Sequence, residues 1–300
     1  MNGIVVVDKP QGMTSHDVVS FLRKKTGVKR IGHSGTLDPM ARGVLPIFIG
    51  KATRVIEYAG IPEDQEAKLY RCKMKLGIET DTNDIWGKIL SQNNEMPDIS
   101  TIKSILKSFQ GPGFQKPPMY SAVKVAGKKL YEYARKGVSV DEDLIRERNI
   151  YIKHIRVKHV DTEAREACFD VLCSKGVYIR SLCADAGRLL GCGAAMSDLI
   201  RLKSDSFSIK SAISFESLQN EEIKALLPID APLFWLPYVV VDDKDARAFA
   251  QGRSIAYSAK EIAYTTIRVY SSSGFIGIGR IYENAEDAKQ EIKPEKVLIL

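Results

Sequence analysis

The sequence predicts an α+β protein that ends in a small all-β module. Along the first 236 residues, apolar β-branched runs alternate with segments whose apolar residues recur at helical spacing. After Leu236 the texture changes to short strands separated by polar turns. No internal repeat or low-complexity tract interrupts either part. The predicted division is therefore 1–236 and 237–300, and the second part, of roughly 60 residues, is large enough to fold alone.

The elements follow in order. Ile4-Val5-Val6-Val7 is a buried strand, ended by the turn chemistry of Asp8-Lys9-Pro10-Gln11-Gly12. Ser15 caps a helix that carries Val18, Val19, Phe21 and Leu22 on one face, and Gly27 closes it. Residues 45–50 form a second buried strand. Residues 69–76 alternate strictly: Leu69, Arg71, Lys73 and Lys75 face one way, and Tyr70, Cys72, Met74 and Leu76 face the other. Residues 169–173 read as a strand and 174–176 as a turn. A helix then places Ile179, Leu182, Ala186 and Leu189 on one face and ends at Gly191. In the C-terminal part, 237–241, 267–270, 274–281 and 297–300 read as strands of a β-barrel, with one helical segment over 243–250.

Composition narrows the function classes. The net charge of +7 favours a polyanionic partner. The five cysteines are odd in number and form no Cys-x-x-Cys, and the four histidines do not pair with them at ligand spacing. Reduced thiols and no metal site are therefore expected. Asp8 and Lys9 interrupt the N-terminal apolar run, so no signal peptide is expected. The most apolar region, 226–241, is broken by Asp230 and by Pro228, Pro232 and Pro237. The expectation is a cytoplasmic chain with no membrane span.

The densest motif is Gly32-His33-Ser34-Gly35-Thr36-Leu37-Asp38-Pro39. Its glycines allow turns and close approach, and Pro39 pushes Asp38 toward an extended conformation, so the segment reads as a loop presenting a carboxylate. Asp38-Pro39 also fits the N-cap and first position of a short helical turn over 39–42 that Gly43 would end. Tyr70 fits a core aromatic as well as a functional one. Arg180 falls in the first turn of its helix, where a cation opposes the dipole; it either serves an anionic partner or points to solvent. Residues 109–140 carry Lys116, Lys124, Lys128, Lys129, Arg135 and Lys136 against the single acid Glu132, with Tyr120, Tyr131 and Tyr133 interleaved. This pattern suits either an RNA surface or a solvated helix face.

Taken together, these blocks resemble the bacterial tRNA pseudouridine-55 synthases, the TruB family, over nearly the full length. The resemblance rests on Asn2-Gly3 with Asp8 to Met13; Gly32 to Pro39 with Gly43, Leu45 and Pro46; Lys68-Leu69-Tyr70-Arg71; and Thr80-Asp81-Thr82. It continues through Pro118-Met119-Tyr120-Ser121-Ala122, Gly127 to Arg135, Ser174-Lys175-Gly176 with Tyr178-Ile179-Arg180, and Gly191-Cys192-Gly193-Ala194 before Leu199. The resemblance implies a mixed, largely antiparallel sheet with flanking helices and a C-terminal PUA domain. It implies isomerisation of one uridine in the tRNA T-loop, with no cofactor, no metal and no obligate protein partner; a monomer is expected. It assigns Asp38 as nucleophile, Tyr70 as the aromatic that stacks on the target base, and Arg180 as the partner of Asp38. His33, Tyr178 and Leu199 become substrate contacts, and Lys9, Lys128, Lys129, Tyr131 and Arg135 become RNA contacts. Residues 109–140 become a thumb that closes on the T-arm stem-loop.

The chemistry suits these residue types. The N1–C1′ bond breaks, the uracil turns, and C5 bonds to C1′, so nothing is oxidised and nothing leaves. An ionised carboxylate can form a covalent adduct or stabilise the ribosyl cation, and a nearby Arg favours its charged form. The competing readings are a guide-RNA-dependent relative, a non-catalytic RNA-binding protein on the same scaffold, and a Ser34/His33/Asp38 hydrolase. No Gly-x-Ser-x-Gly elbow supports the last of these.

Overall fold

A computed structural model describes residues 1–60, 67–138, 140–223, 226–257, 265–283 and 290–298. Its centre is a mixed sheet. From one edge, the strands run Ile213–Ser214, Gly3–Lys9, Arg42–Ile49, Ala194–Ser204, Lys68–Leu76, Glu166–Cys173, Arg148–Asp161 and Gly111–Gln115. Two pairings are parallel, Gly3–Lys9 with Ile213–Ser214 and Arg42–Ile49 with Ala194–Ser204; the others along this path are antiparallel. The helices Ser15–Thr26, Ile99–Ser108 and Ile179–Leu189 pack against one face through Val18, Val19, Leu22, Ile102, Leu106, Leu182 and Ala186.

The predicted strands at 4–7, 45–50, 69–76 and 169–173 all form, most of them longer than their apolar runs. The alternation of 69–76 places Cys72, Met74 and Leu76 in the core, with Tyr70 packed beside them. On the opposite face Arg71 pairs with Asp170 and Lys73 with Glu166. The strands Arg148–Asp161 and Ala194–Ser204 were not predicted: basic residues crowd the first, and a buried Arg201 hides the alternation of the second.

Two helix details differ from expectation. Thr14, not Ser15, caps the first helix, in a reciprocal capping box with Asp17; Ser15 turns inward instead. Leu189, expected on the apolar face of the later helix, is exposed, and Cys183 is buried there.

The C-terminal strands pair in the order Tyr238–Val240, Thr266–Ser271, Gly274–Glu283, Gln290–Val297, Ile255–Tyr257, and the helix Asp243–Ala250 covers them through Ala246 and Phe249. Of the strand expected at 297–300, Ile299 and Leu300 lie outside the described residues. This sheet docks on the back of the central one. Ile278 and Leu298 share an apolar cluster with Ile4, Val6, Val44, Phe48 and Val55, and Tyr58 donates to Glu295 at 3.0 Å.

Candidate active site

The loop from Gly35 to Pro39 is fixed from several sides. Ser15 Oγ donates to Leu37 O (3.1 Å) and accepts from Leu37 N (2.9 Å). Gly12 N donates to Pro39 O at 2.8 Å. Arg201, fully buried, donates from Nε to Val44 O (2.8 Å), from Nη1 to Thr36 O (3.3 Å) and from Nη2 to Gly35 O (3.0 Å). Sequence reasoning missed both Ser15 and Arg201 as holders of this loop. An Arg between Ile200 and Leu202 in a strand that also carries Asp198 and Lys203 gives no sequence signal for burial.

The predicted helical turn over 39–42 does not form. Ala41 N donates to Asp38 O at 3.1 Å in a single turn, and the strand begins at Arg42. Gly43 ends no helix. At φ +106° it lies against the paired strand, where a Cβ would meet Arg201 O at 2.3 Å. Asp38 therefore caps nothing, and its side chain is free for another role.

That side chain meets Arg180. Arg180 Nε lies 2.9 Å from Asp38 Oδ2; the guanidinium is 5% exposed and the carboxylate 34%. Arg180 Nη1 donates to Thr82 O (3.3 Å) and Nη2 to Tyr120 O (2.8 Å). Of the two readings left open for Arg180, the anionic partner holds, and the anion lies within the chain. Asp84, also buried, faces Arg180 Nη1 with Oδ2 at 4.0 Å. Burial pushes the Asp84 carboxyl up, and its bond from Thr82 and the Arg180 charge oppose that shift.

Tyr70 is half-buried on its strand. Burial raises its phenol, and the Arg201 charge pulls it back. Leu199 packs with Cys72 and Met74 in the core. Tyr178 precedes the Arg180 helix, and its backbone is gripped twice by buried Gln115: Tyr178 N donates to Oε1 (2.7 Å) and Nε2 donates to Tyr178 O (3.0 Å). His33 pairs with Ile47 in the sheet. Burial lowers its pKa, and the Arg201 and His16 charges lower it further, which favours a neutral imidazole.

Lys9 corrects the expectation of an RNA contact. It is fully buried, and Nζ donates to Pro10 O (2.8 Å), Met13 O (2.6 Å) and Pro39 O (3.4 Å), so it braces the Asp38 loop from inside. Burial lowers its pKa to about 8 against the pull of Asp38.

The basic segment divides. Gly111–Gln115 is an edge strand of the central sheet, so the excursion begins at Lys116 and returns at Arg148. It holds a short hairpin, Lys124–Val125 with Lys128–Lys129, and the helix Leu130–Ala134. Lys129 Nζ and the Arg135 guanidinium lie over the Tyr131 ring, 5.4 and 5.3 Å from its centroid. Among the described residues, no cluster of three or more His, Cys, Asp or Glu could hold a metal ion, and no helix is long and apolar enough to cross a membrane.

A part-exposed carboxylate paired with a buried Arg, beside a half-buried Tyr and next to a basic excursion, is an arrangement that suits a polyanionic substrate. Comparisons with known proteins agree. Residues 23–179 match the family model described as TruB family pseudouridylate synthase (N terminal domain). Residues 180–233 match the tRNA pseudouridylate synthase B C-terminal domain, and residues 237–298 match Pseudouridine synthase II TruB, C-terminal. The chain is 44% identical to the tRNA pseudouridine synthase B of Alkaliphilus oremlandii, covering 99% of each. It is 42% identical to that of Clostridium kluyveri, covering 93% of this chain and 95% of the relative. Among solved structures it is similar to a crystal structure of a Cbf5-Nop10-Gar1 complex, with a TM-score of 0.70 and 26% identity, covering 99% of this chain and 85% of that one. With its sequence blocks, its sheet and the Asp38 loop all in agreement with these matches, the chain belongs to the TruB family of pseudouridylate synthases.

Proposed function

We propose that the protein is a tRNA pseudouridine synthase that isomerises uridine 55 in the T-loop, with Asp38 as the nucleophile. The observation that carries the assignment is the Asp38–Arg180 pair: a part-exposed carboxylate on a loop braced from beneath, held at 2.9 Å by a buried guanidinium. The target uridine leaves its stack, which costs a few kcal/mol. Stacking on Tyr70 recovers about 1–3 kcal/mol of that. Asp38 then forms an adduct with, or stabilises, the fragment released when N1–C1′ breaks. The uracil turns, C5 bonds to C1′, and the C5 proton is lost as N1 is protonated. The Tyr70 hydroxyl is a candidate acceptor for that proton. His33, Tyr178 and Leu199 line the nucleotide path. Lys128, Lys129, Tyr131 and Arg135, on the excursion after residue 115, close on the T-arm, and the C-terminal sheet is a PUA domain that extends the RNA surface over 237–300. The enzyme works as a cytoplasmic monomer.

Asp38→Asn tests the assignment. Asn keeps the backbone turn and a side-chain acceptor for Arg180 Nε, so the melting temperature and T-arm binding are expected to persist while pseudouridine formation disappears. Turnover by that variant would sink the nucleophile role. The guide-RNA-dependent reading is favoured only by the similarity to the Cbf5-Nop10-Gar1 complex. Activity of the purified chain on an unmodified tRNA transcript, with no other RNA or protein present, decides against it.

A further inference from the structure

Trp86 is 47% exposed, although the loop that carries it is rigidly tied. Thr80 Oγ1 donates to Asp84 O (2.6 Å), Thr82 Oγ1 to Asp84 Oδ1 (2.7 Å) and Trp86 N to the same Oδ1 (3.1 Å). Ile85 N donates to Met196 O and Met196 N to Asn83 O, both at 3.0 Å, which locks the loop to the strand that carries Leu199. The other oxygen of Asp84 has no hydrogen-bond partner among the described residues and faces Arg180. One carboxylate thus sets the backbone of Trp86 with one oxygen and borders the Asp38–Arg180 pair with the other. Arg180 binds Thr82 O of this loop and Tyr120 O at the root of the basic excursion, so the loop and the excursion both border the site.

A large exposed aromatic on a rigid loop is a poor solvent face but a good platform. It loses little conformational freedom on binding, and every nucleobase offers it a π-face. We propose that Trp86 is a stacking platform for an unpaired nucleobase of the substrate RNA next to the target uridine. This rests on the RNA-isomerase reading above. The site thereby has two aromatic positions: Tyr70 for the reacting base and Trp86 for a base beside it. The platform contributes to binding and register, not to bond making.

The chain has two tryptophans, and Trp235 is packed in the apolar cluster between the two sheets with Nε1 on Tyr58 O, so the test is direct. In Trp235→Phe, titration with an unmodified T-arm stem-loop transcript is expected to quench the remaining indole fluorescence. Trp86→Ala is expected to raise KM roughly ten-fold, to leave the single-turnover rate at saturating RNA within about two-fold, and to melt like the wild type, while Trp86→Phe restores most of the affinity. An unquenched indole with unchanged KM in Trp86→Ala overturns the proposal. So does quenching with unchanged KM, which would mean that the basic excursion of this chain, not a base, covers Trp86. Wild-type RNA binding without isomerisation would defeat the enzyme reading instead, and the quench would still report on Trp86.

Discussion

Arg180 Nε lies 2.9 Å from Asp38 Oδ2 while its two terminal nitrogens rest on the carbonyls of Thr82 and Tyr120. A single buried guanidinium therefore orients the carboxylate and holds together two segments that border it. Three contacts in three directions need the planar fork of Arg, which an ammonium lacks.

Arg180→Lys keeps the positive charge and loses the fork. The lysine can reach Asp38 or the carbonyls but not all of them. The expected result is a fall in kcat of roughly ten- to a hundred-fold, with a smaller change in KM. Single-turnover assays on a tRNA transcript separate the two, and a kcat within two-fold of wild type would show that charge alone suffices.

Arg201 makes a different prediction. Its guanidinium is fully buried and donates to Gly35, Thr36 and Val44 carbonyls. Arg201→Met leaves those acceptors unpaired in the interior. A loss of about 3–5 kcal/mol in urea unfolding is expected. A loss under about 1 kcal/mol would mean that the loop holds its shape without Arg201.

The basic excursion is tested by salt. Lys128→Gln combined with Lys129→Gln should weaken stem-loop binding and flatten the slope of log K against log[salt] by about 0.7–0.9 per phosphate contact removed. An unaltered slope would return these side chains to a solvated surface.

Much of this arrangement was legible in the sequence, for identifiable reasons. The strand at 69–76 alternates without exception, and Gly27 supplies the left-handed residue that closes the first helix, at φ 71°. The loop at 32–39 was visible because glycine, proline and a carboxylate concentrate there. What holds that loop was not visible. Ser15 resembled a cap, Lys9 an RNA-contacting surface cation, and Arg201 carried no reading at all, because a polar side chain that buries itself on backbone carbonyls looks in sequence like one that points to water. Asp38-Pro39 misled for a related reason. The pair is a good helix start, but pairing of Arg42 and Gly43 with Ile200 and Arg201 draws the following residues into the sheet.

Two buried lysines predict a pH dependence of stability. Burial lowers Lys9 and Lys68 from the ordinary 10.5 to about 8, against the pull of Asp38 and Asp205 respectively. Between about pH 8 and 10.5 the unfolded chain therefore binds more protons than the folded one. The cost of holding these ammonium groups inside is present in full below pH 8 and is relieved as pH rises through that window. Measured by urea unfolding at pH 7.5 and 9.5, the wild type should gain stability relative to Lys68→Met at the higher pH. A difference that does not move with pH would show that Lys68 titrates normally.

The docking of the C-terminal sheet bears on how its contribution to RNA affinity can be measured. Ile278 and Leu298 cover Ile4, Val6, Val44 and Phe48, strand residues that lie one layer behind the Asp38 loop. Cutting the chain at 237 would bare that apolar surface to water, and the strand Arg42–Ile49, which continues directly from the Asp38 turn, would lose its backing. A shortened protein would then bind RNA poorly even if the missing part never touched it. Subtraction is therefore the wrong operation for this molecule; the share of the C-terminal sheet has to be read from charge substitutions on its exposed face, with the intact chain as background.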